Sequence, residues 1–277
     1  MSQKSYDNTP TLYLIPTPIG NMQDITLRAI ETFKFVDVVF TEDTRDTGLL
    51  LNQLEIKKKM VPSHKFNEEI SKNKMLEYLK NGQNVGLASD RGTPAISDPG
   101  YILVKHAIDN GFNVVSLPGA TALIPALIMS GINPQPFLFY GFLNNKEGKK
   151  TEELLELKNN KSTLIFYESP HRIEKTLEIM QKSLGNRNIS ISREISKKYE
   201  EVYRGTINLV KQEVENVKGE LVIVVEGNLE KQNFDNITVI EHVNLFIKEG
   251  KTKNDAIKLV AKERNVPKSE IYNQYIK

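Results

Sequence analysis

The chain has 277 residues, four histidines, no cysteine and a formal net charge of +2, which excludes disulfides, thiolate-bound metals and a polycationic body. Hydrophobic residues make up 39% and charged residues 26%, the balance of a soluble globular protein long enough for two cores. No apolar run reaches the roughly 18 residues of a membrane span, and the polar start MSQKSYDNTP predicts no secretory leader. His64, His106, His171 and His242 lack ligand spacing, so no metal is expected, and the expected location is cytoplasmic.

In chain order, the first half alternates short apolar runs with amphipathic ones. Strands are predicted at Leu12–Ile15, Val38–Phe40, Val85–Ala88 and Val114–Leu117. Helices are predicted at Thr26–Phe35, Thr44–Leu54, Glu68–Lys80, Ile102–Asn110 and Thr121–Met129. This alternation argues for a largely parallel sheet covered on both faces. The prolines of Ile132-Asn133-Pro134-Gln135-Pro136 stop a helix, and the pattern restarts beyond them. Strands Phe137–Tyr140, Thr163–Tyr167 and Ile189–Arg193 alternate with helices Glu152–Lys158 and Ile173–Leu184. The run from Glu220 to Glu226 reads as a buried strand. Asn228–Asn236 is polar and reads as a linker to helical segments at Val239–Glu249, Asn254–Glu263 and Lys268–Tyr275. Between Lys248 and Lys277 eight basic residues face four acidic ones, the local surface a polyanion requires, or simply a solvated tail.

In open α/β sheets ligands bind beyond the carboxyl ends of the strands, and the polar loops of this chain fall there. They are Pro16–Asn21, Thr41–Arg45, Ser89–Gly100, Pro118–Ala122, Glu168–Arg172 and Arg193–Lys197. Any one of them passes as an ordinary strand-to-helix turn with Asp and Ser as caps. Their recurrence at one end, and the length of Ser89–Gly100, point to a ligand site. No two glycines are separated by one residue, so the G-x-G-x-x-G dinucleotide fingerprint is absent.

Read in order, PTPIGN, TEDTR, SDRGTPAISDPG, SLPGATA, YESPHR and REISKKYEE resemble the ribosomal RNA small subunit methyltransferase I family, within the tetrapyrrole-methylase superfamily. The resemblance spans roughly residues 11–230. It implies an α/β fold of two αβα domains, residues 1–132 and 133–230, with a basic helical extension over 231–277. It further implies S-adenosylmethionine as methyl donor in the cleft between the domains, without a metal. The implied reaction is 2′-O-methylation of a cytidine in the decoding region of 16S ribosomal RNA. The implied partners are that RNA or the small ribosomal subunit and a second copy of the chain, with no membrane. Where the donor loop most often reads Ser-Asp-Ala-Gly, this chain carries Arg91.

Carried over by position, the donor contacts are Pro18, Ser89, Asp90, Thr93, Thr121 and Ala122, with Tyr167 and Gly219 lining the adenosine pocket. A carboxylate such as Asp90 suits a ligand bearing sulfonium and ammonium charges. A ribose hydroxyl needs a base, and Glu168, His171, Glu194 and Lys197 are the candidates, with none preferred. Arg45, Arg172 and Arg193 are candidates for RNA phosphates, which a guanidinium grips with two bonds. Two other readings compete: a methyltransferase acting on a tetrapyrrole, and an RNA- or ribosome-binding protein without catalysis.

Overall fold

The computed structural model describes residues 3–5, 7–229, 237–264 and 266–276. Its first sheet has five strands: β1 (Thr11–Leu14), β2 (Val38–Thr41), β3 (Lys59–Pro62), β4 (Val85–Ala88) and β5 (Asn113–Ser116). They are ordered β3-β2-β4-β1-β5 and every pair is parallel. Both faces are covered, so the strand side chains divide by parity. Leu12 and Leu14 pack with Met75 and Leu79 of α3 (Glu68–Lys80) and Leu103 and Ala107 of α4 (Tyr101–Asp109). Tyr13 and Ile15 pack with Ala29 and Phe33 of α1 (Leu27–Phe35) and Leu51 of α2 (Thr44–Gln53). Covering both faces makes the strands read as unbroken apolar runs.

The second sheet contains β6 (Phe137–Phe142), β7 (Thr163–Glu168), β8 (Asn188–Arg193), β9 (Glu201–Thr206) and β10 (Leu221–Val225), ordered β6-β7-β10-β8-β9. Only β6 and β7 run parallel; β10 is antiparallel to both β7 and β8, and β8 to β9. The restarted alternation was expected to follow the first half. It departs because β9 turns straight back from β8, and the helical crossover that follows keeps that reversed direction into β10. One face packs on α6 (Glu147–Glu156), α7 (Ile173–Leu184) and α8 (Ile207–Glu213) through Leu154, Leu177, Met180 and Val210. The other face, Ile165, Val222 and Val224, receives Ala126 and Leu127 of α5 (Leu123–Met129). A helix from the first half thus closes the second sheet, and residues 1–227 form one compact unit.

Residues 228–277 form a second unit. Its helices α9 (Val239–Lys248), α10 (Lys253–Arg264) and α11 (Lys268–Ile276) enclose Val243, Ile257, Val260 and Ile271. The side chain of Thr238 and that of Glu241 cap α9 reciprocally. Lys248, Lys251, Lys253, Lys258, Lys262 and Lys268 are exposed. Arg264 instead turns inward, donating to the Ile237 carbonyl and to Nδ1 of buried His242. Most of the expected linker, and Lys277, lie outside the described residues. No helix among the described residues is long and apolar enough to cross a membrane.

Candidate active site

The carboxyl ends of the first sheet and of β6, β7 and β8, together with the amino end of β10, open onto a cavity of about 890 Å³. The first sheet contributes Ile19, Glu42, Asp90, Thr93, Asp98, Thr121 and Ala122; the second contributes Phe142, Tyr167, Glu168, Glu194, Lys197, Gly219 and Glu220.

The inner wall is acidic. The Ser89–Gly100 loop is pinned at one end by Ser89, whose hydroxyl donates to the Gly92 carbonyl, and at the other by Glu68, whose carboxylate accepts from the Gly100 amide at 2.7 Å. It returns to β1 through the Thr17–Gly92 backbone pair, and the Thr93 hydroxyl donates to the Ala120 carbonyl. The loop thereby carries Asp90 and Asp98 into the cavity beside Glu42. Burial pushes the Asp98 carboxyl up to about 6, helped by the charge of Glu42 and partly offset by a bond from Ser89. Burial and Asp90 raise Glu42. Burial also raises Asp90, against the Asp43 amide that donates to it at 2.9 Å. Among the described residues, no lysine, arginine or histidine forms an ion pair with any of the three.

Tyr167 joins the two halves. Its hydroxyl accepts from the Thr121 side chain and the Leu123 amide, although burial raises its pKa overall. Its ring meets Phe139 and Phe142 edge-on, with centroids 4.9 and 5.6 Å away. The cavity thus combines aromatic rings with acidic groups, suited to a flat apolar ring linked to a cationic group.

The rim carries paired charges. Lys197 Nζ donates to Glu194 at 2.9 Å and to Glu220 at 2.8 Å, and Arg91 Nη1 donates to the other oxygen of Glu220 at 2.5 Å. Burial lowers the Lys197 pKa, but the bonds to Glu220 and Glu194 outweigh it and raise the value overall. The Lys197 bond holds Glu194 below the usual carboxylate range. Two glycines make this packing possible. A Cβ on Gly20, at φ +140°, would lie 2.5 Å from the Lys197 stem; one on Gly219, at φ +95°, would lie 2.5 Å from the Glu194 carboxyl.

The remaining candidates are spread unevenly. Pro18 is half-buried next to the lining residue Ile19, and Ser89 is buried and spends its hydroxyl within its own loop. Glu168 lines the cavity, yet its carboxylate accepts from the Ser169 amide at 2.8 Å and the Thr176 hydroxyl at 2.6 Å and pairs with buried Lys150 at 3.6 Å. These bonds leave it engaged in structure. Arg172 turns away from solvent toward the Leu143 carbonyl, Asn145 and Glu168, so its guanidinium is engaged inside the protein. Arg193 binds the Lys218 carbonyl and Glu201. Arg45 is exposed and paired with Asp43, and His171 is exposed just outside the lining residues.

The family model described as Tetrapyrrole (Corrin/Porphyrin) Methylases matches residues 11–210. The protein named Ribosomal RNA small subunit methyltransferase I of Bacillus subtilis (strain 168) is 48% identical, covering 99% of this chain and 97% of that one. The chain belongs to the ribosomal RNA small subunit methyltransferase I family. A relative of the same name from Haemophilus influenzae is 42% identical, with 96% of each chain covered. Members of the family use S-adenosylmethionine. Among solved structures, the methyltransferase CobJ superposes with a TM-score of 0.61 at 15% identity, over 79% of this chain and 95% of that one. Uroporphyrin-III-C-methyltransferase from Thermus thermophilus gives 0.55 at 17%, over 79% and 92%. These two likenesses establish the fold.

In this methyltransferase I family member, several cavity residues lie outside the site read off the sequence, among them the carboxylates Glu42, Asp98 and Glu220. The first two lie inside TEDTR and SDRGTPAISDPG, so their strand-end position was an available signal. Glu220 opens a buried strand and had none.

Proposed function

We propose that the protein transfers the methyl group of S-adenosylmethionine to the 2′-hydroxyl of a cytidine ribose in the decoding region of 16S ribosomal RNA. The observation that carries this reading is a cavity that combines carboxylates outside any ion pair with aromatic rings, in a chain whose near full-length relatives are named for small-subunit ribosomal RNA.

The donor set fits the donor. Glu42, Asp90 and Asp98 form no ion pair among the described residues, Arg91 and His64 only partly offsetting Asp90 and Glu42, and the ligand brings a sulfonium and an ammonium. Tyr167, Phe142 and Gly219 supply the flat side for an adenine ring. The donor supplies a methyl carbon on a positively charged sulfur. In the transfer an oxygen–carbon bond forms, the sulfur–carbon bond breaks with its electrons returning to sulfur, and the hydroxyl proton leaves. Holding the ribose oxygen in line with that carbon can supply several kcal/mol of the acceleration.

For the proton, the four candidate bases are unequal. Lys197 is held protonated, Glu194 is held weakly basic, and the Glu168 carboxylate is engaged by Ser169, Thr176 and Lys150. His171, at the exposed turn beside lining residue Pro170, carries no such commitment and is our assignment for proton acceptance. Arg45 and the exposed lysines of the second unit supply positive charge for the RNA backbone. We also propose the division into donor-binding domains 1–132 and 133–230, a homodimeric state and a cytoplasmic location.

Mass spectrometry of small-subunit ribosomal RNA from cells lacking the gene tests the reading. A cytidine ribose methyl in the decoding region should disappear and return on re-expression. An unchanged methylation pattern would refute it.

A further inference from the structure

The rim charges form a continuous chain that joins the two halves. Arg91, from the loop after β4, meets Glu220 at the start of β10; Glu220 meets Lys197, and Lys197 meets Glu194. The members are not equally fixed. Lys197 lies in the groove left by Gly20, its side chain only 18% exposed, and Glu194 sits against Gly219 and accepts from the Glu220 amide at 3.1 Å. The loop that carries them is tied to the first half by a bond from Ser196 to Asp24. Arg91 and Glu220 are the exposed members, with side chains 54% and 61% accessible.

One carboxylate therefore bridges two cations, one fixed and one free to swing, at the mouth of the cavity. The pair Arg91 and Lys197 is balanced by Glu194 and Glu220, so the rim is neutral. Exposed pairs of this kind are held by little. A phosphodiester carries the same single negative charge and has two oxygens to offer, and a guanidinium grips it with two bonds.

We propose that Glu220 is an internal stand-in for a backbone phosphate of the RNA substrate. An incoming phosphodiester replaces its carboxylate between Arg91 and Lys197, and the two cations, one from each half, clamp the RNA over the cavity. Glu220 thereby sets how tightly and how selectively a polyanion is admitted, since any ligand that cannot satisfy both cations leaves the native bridge intact. This rests on the reading that the substrate is RNA.

The test uses the full chain with a short single-stranded RNA and with its methylphosphonate analogue, whose backbone is uncharged. Glu220→Gln should tighten RNA binding about three- to tenfold at low salt, because the phosphate no longer has to displace a carboxylate from the two cations. The analogue should bind both proteins equally. Calorimetric binding of S-adenosylmethionine should persist and change less than RNA binding does, which also verifies the folded cavity, with Glu220→Ser as a second variant if the first misfolds. In an Arg91→Gln background the gain from Glu220→Gln should shrink. If the native chain binds the RNA and Glu220→Gln changes nothing, or tightens the analogue equally, or shifts donor affinity in place of RNA affinity, the inference is overturned alone. If the native chain binds no RNA, the substrate reading fails and the inference falls with it.

Discussion

The inner wall and the rim of the cavity are lined with the same kinds of residue and treat them in opposite ways. On the inner wall Glu42, Asp90 and Asp98 are half-buried and, among the described residues, form no ion pair with a basic group. On the rim Glu194, Lys197, Glu220 and Arg91 are each bonded to an opposite charge. Glu168 makes the contrast sharper: it shares the cavity, is fully buried, and has its partners Lys150 and Thr176 within the fold. Carboxylates with partners hold structure. Carboxylates raised by burial and left outside any ion pair store a demand for a cation, which a ligand can meet.

Four experiments probe that contrast, in order of expected effect. Glu168→Gln leaves Lys150 charged and buried beside a neutral amide, and should cost about 3–5 kcal/mol of stability, the scale for breaking a buried pair. Thermal unfolding would show it, while donor affinity of the protein that remains folded stays near native. Equal losses in both measurements would erase the distinction between structural and ligand-facing acids.

Asp90→Ala should do the reverse. Donor affinity should fall about tenfold to hundredfold, equivalent to about 1.4–2.8 kcal/mol of lost charge matching, with little change in melting temperature. Titration calorimetry that finds donor affinity unchanged would remove Asp90 from the donor site.

Asp98 gives the contrast a pH signature. Its folded value of about 6 lies above the ordinary 3.8. Between those values the folded protein holds a proton that the unfolded chain has released, so donor-free stability should fall as pH rises through that window and level off above it. Affinity for a cationic donor should rise across the same window, by up to about tenfold between pH 5 and 7. Asp98→Asn should flatten both curves. A native binding curve that is flat from pH 5 to 7 would detach Asp98 from the ligand.

The smallest effect concerns the second unit. Removing residues 228–277 should leave donor affinity unchanged, because the cavity is lined entirely from residues 19–222. It should weaken RNA binding and lower the salt slope by about 2 to 4, as exposed lysines are lost. If truncation instead lowers the melting temperature and spares the slope, these helices serve stability.

The strands and the loops that line the cavity are legible because both depend on local pattern. An apolar run covered on both faces announces β2, β4 and β10, polar turns at strand ends announce the loops that line the cavity, and the family resemblance picks Asp90, Thr93, Thr121 and Tyr167 out of them. Two edge strands escaped. In β3 only Val61 is buried, and β9, Glu201–Thr206, has no buried residue. The antiparallel course of the second sheet was equally hidden, since direction depends on how crossovers return and not on strand composition. Arg172 looked like a phosphate ligand by type, and packing aimed it at the Leu143 carbonyl. The rim was beyond reach for a simpler reason: Arg91 and Glu220 are 129 residues apart, and nothing local in either announces the other.

The order of strands also decides when each half comes into being during synthesis. The first sheet ends on an edge strand, so every pairing it needs is available once Ser116 has emerged from the ribosome. The second sheet is completed from its middle. β10 is the last strand made and the one that bonds to both β7 and β8. Until it arrives, β6–β7 and β8–β9 are two separate hairpin-sized fragments with an open seam between them, and β10 contributes Leu221 and Val222 to the cavity wall. A nascent chain halted before Leu221 therefore exposes two unpaired strand edges and lacks part of its cavity wall, whereas one halted after Gly227 has every strand of both sheets in place.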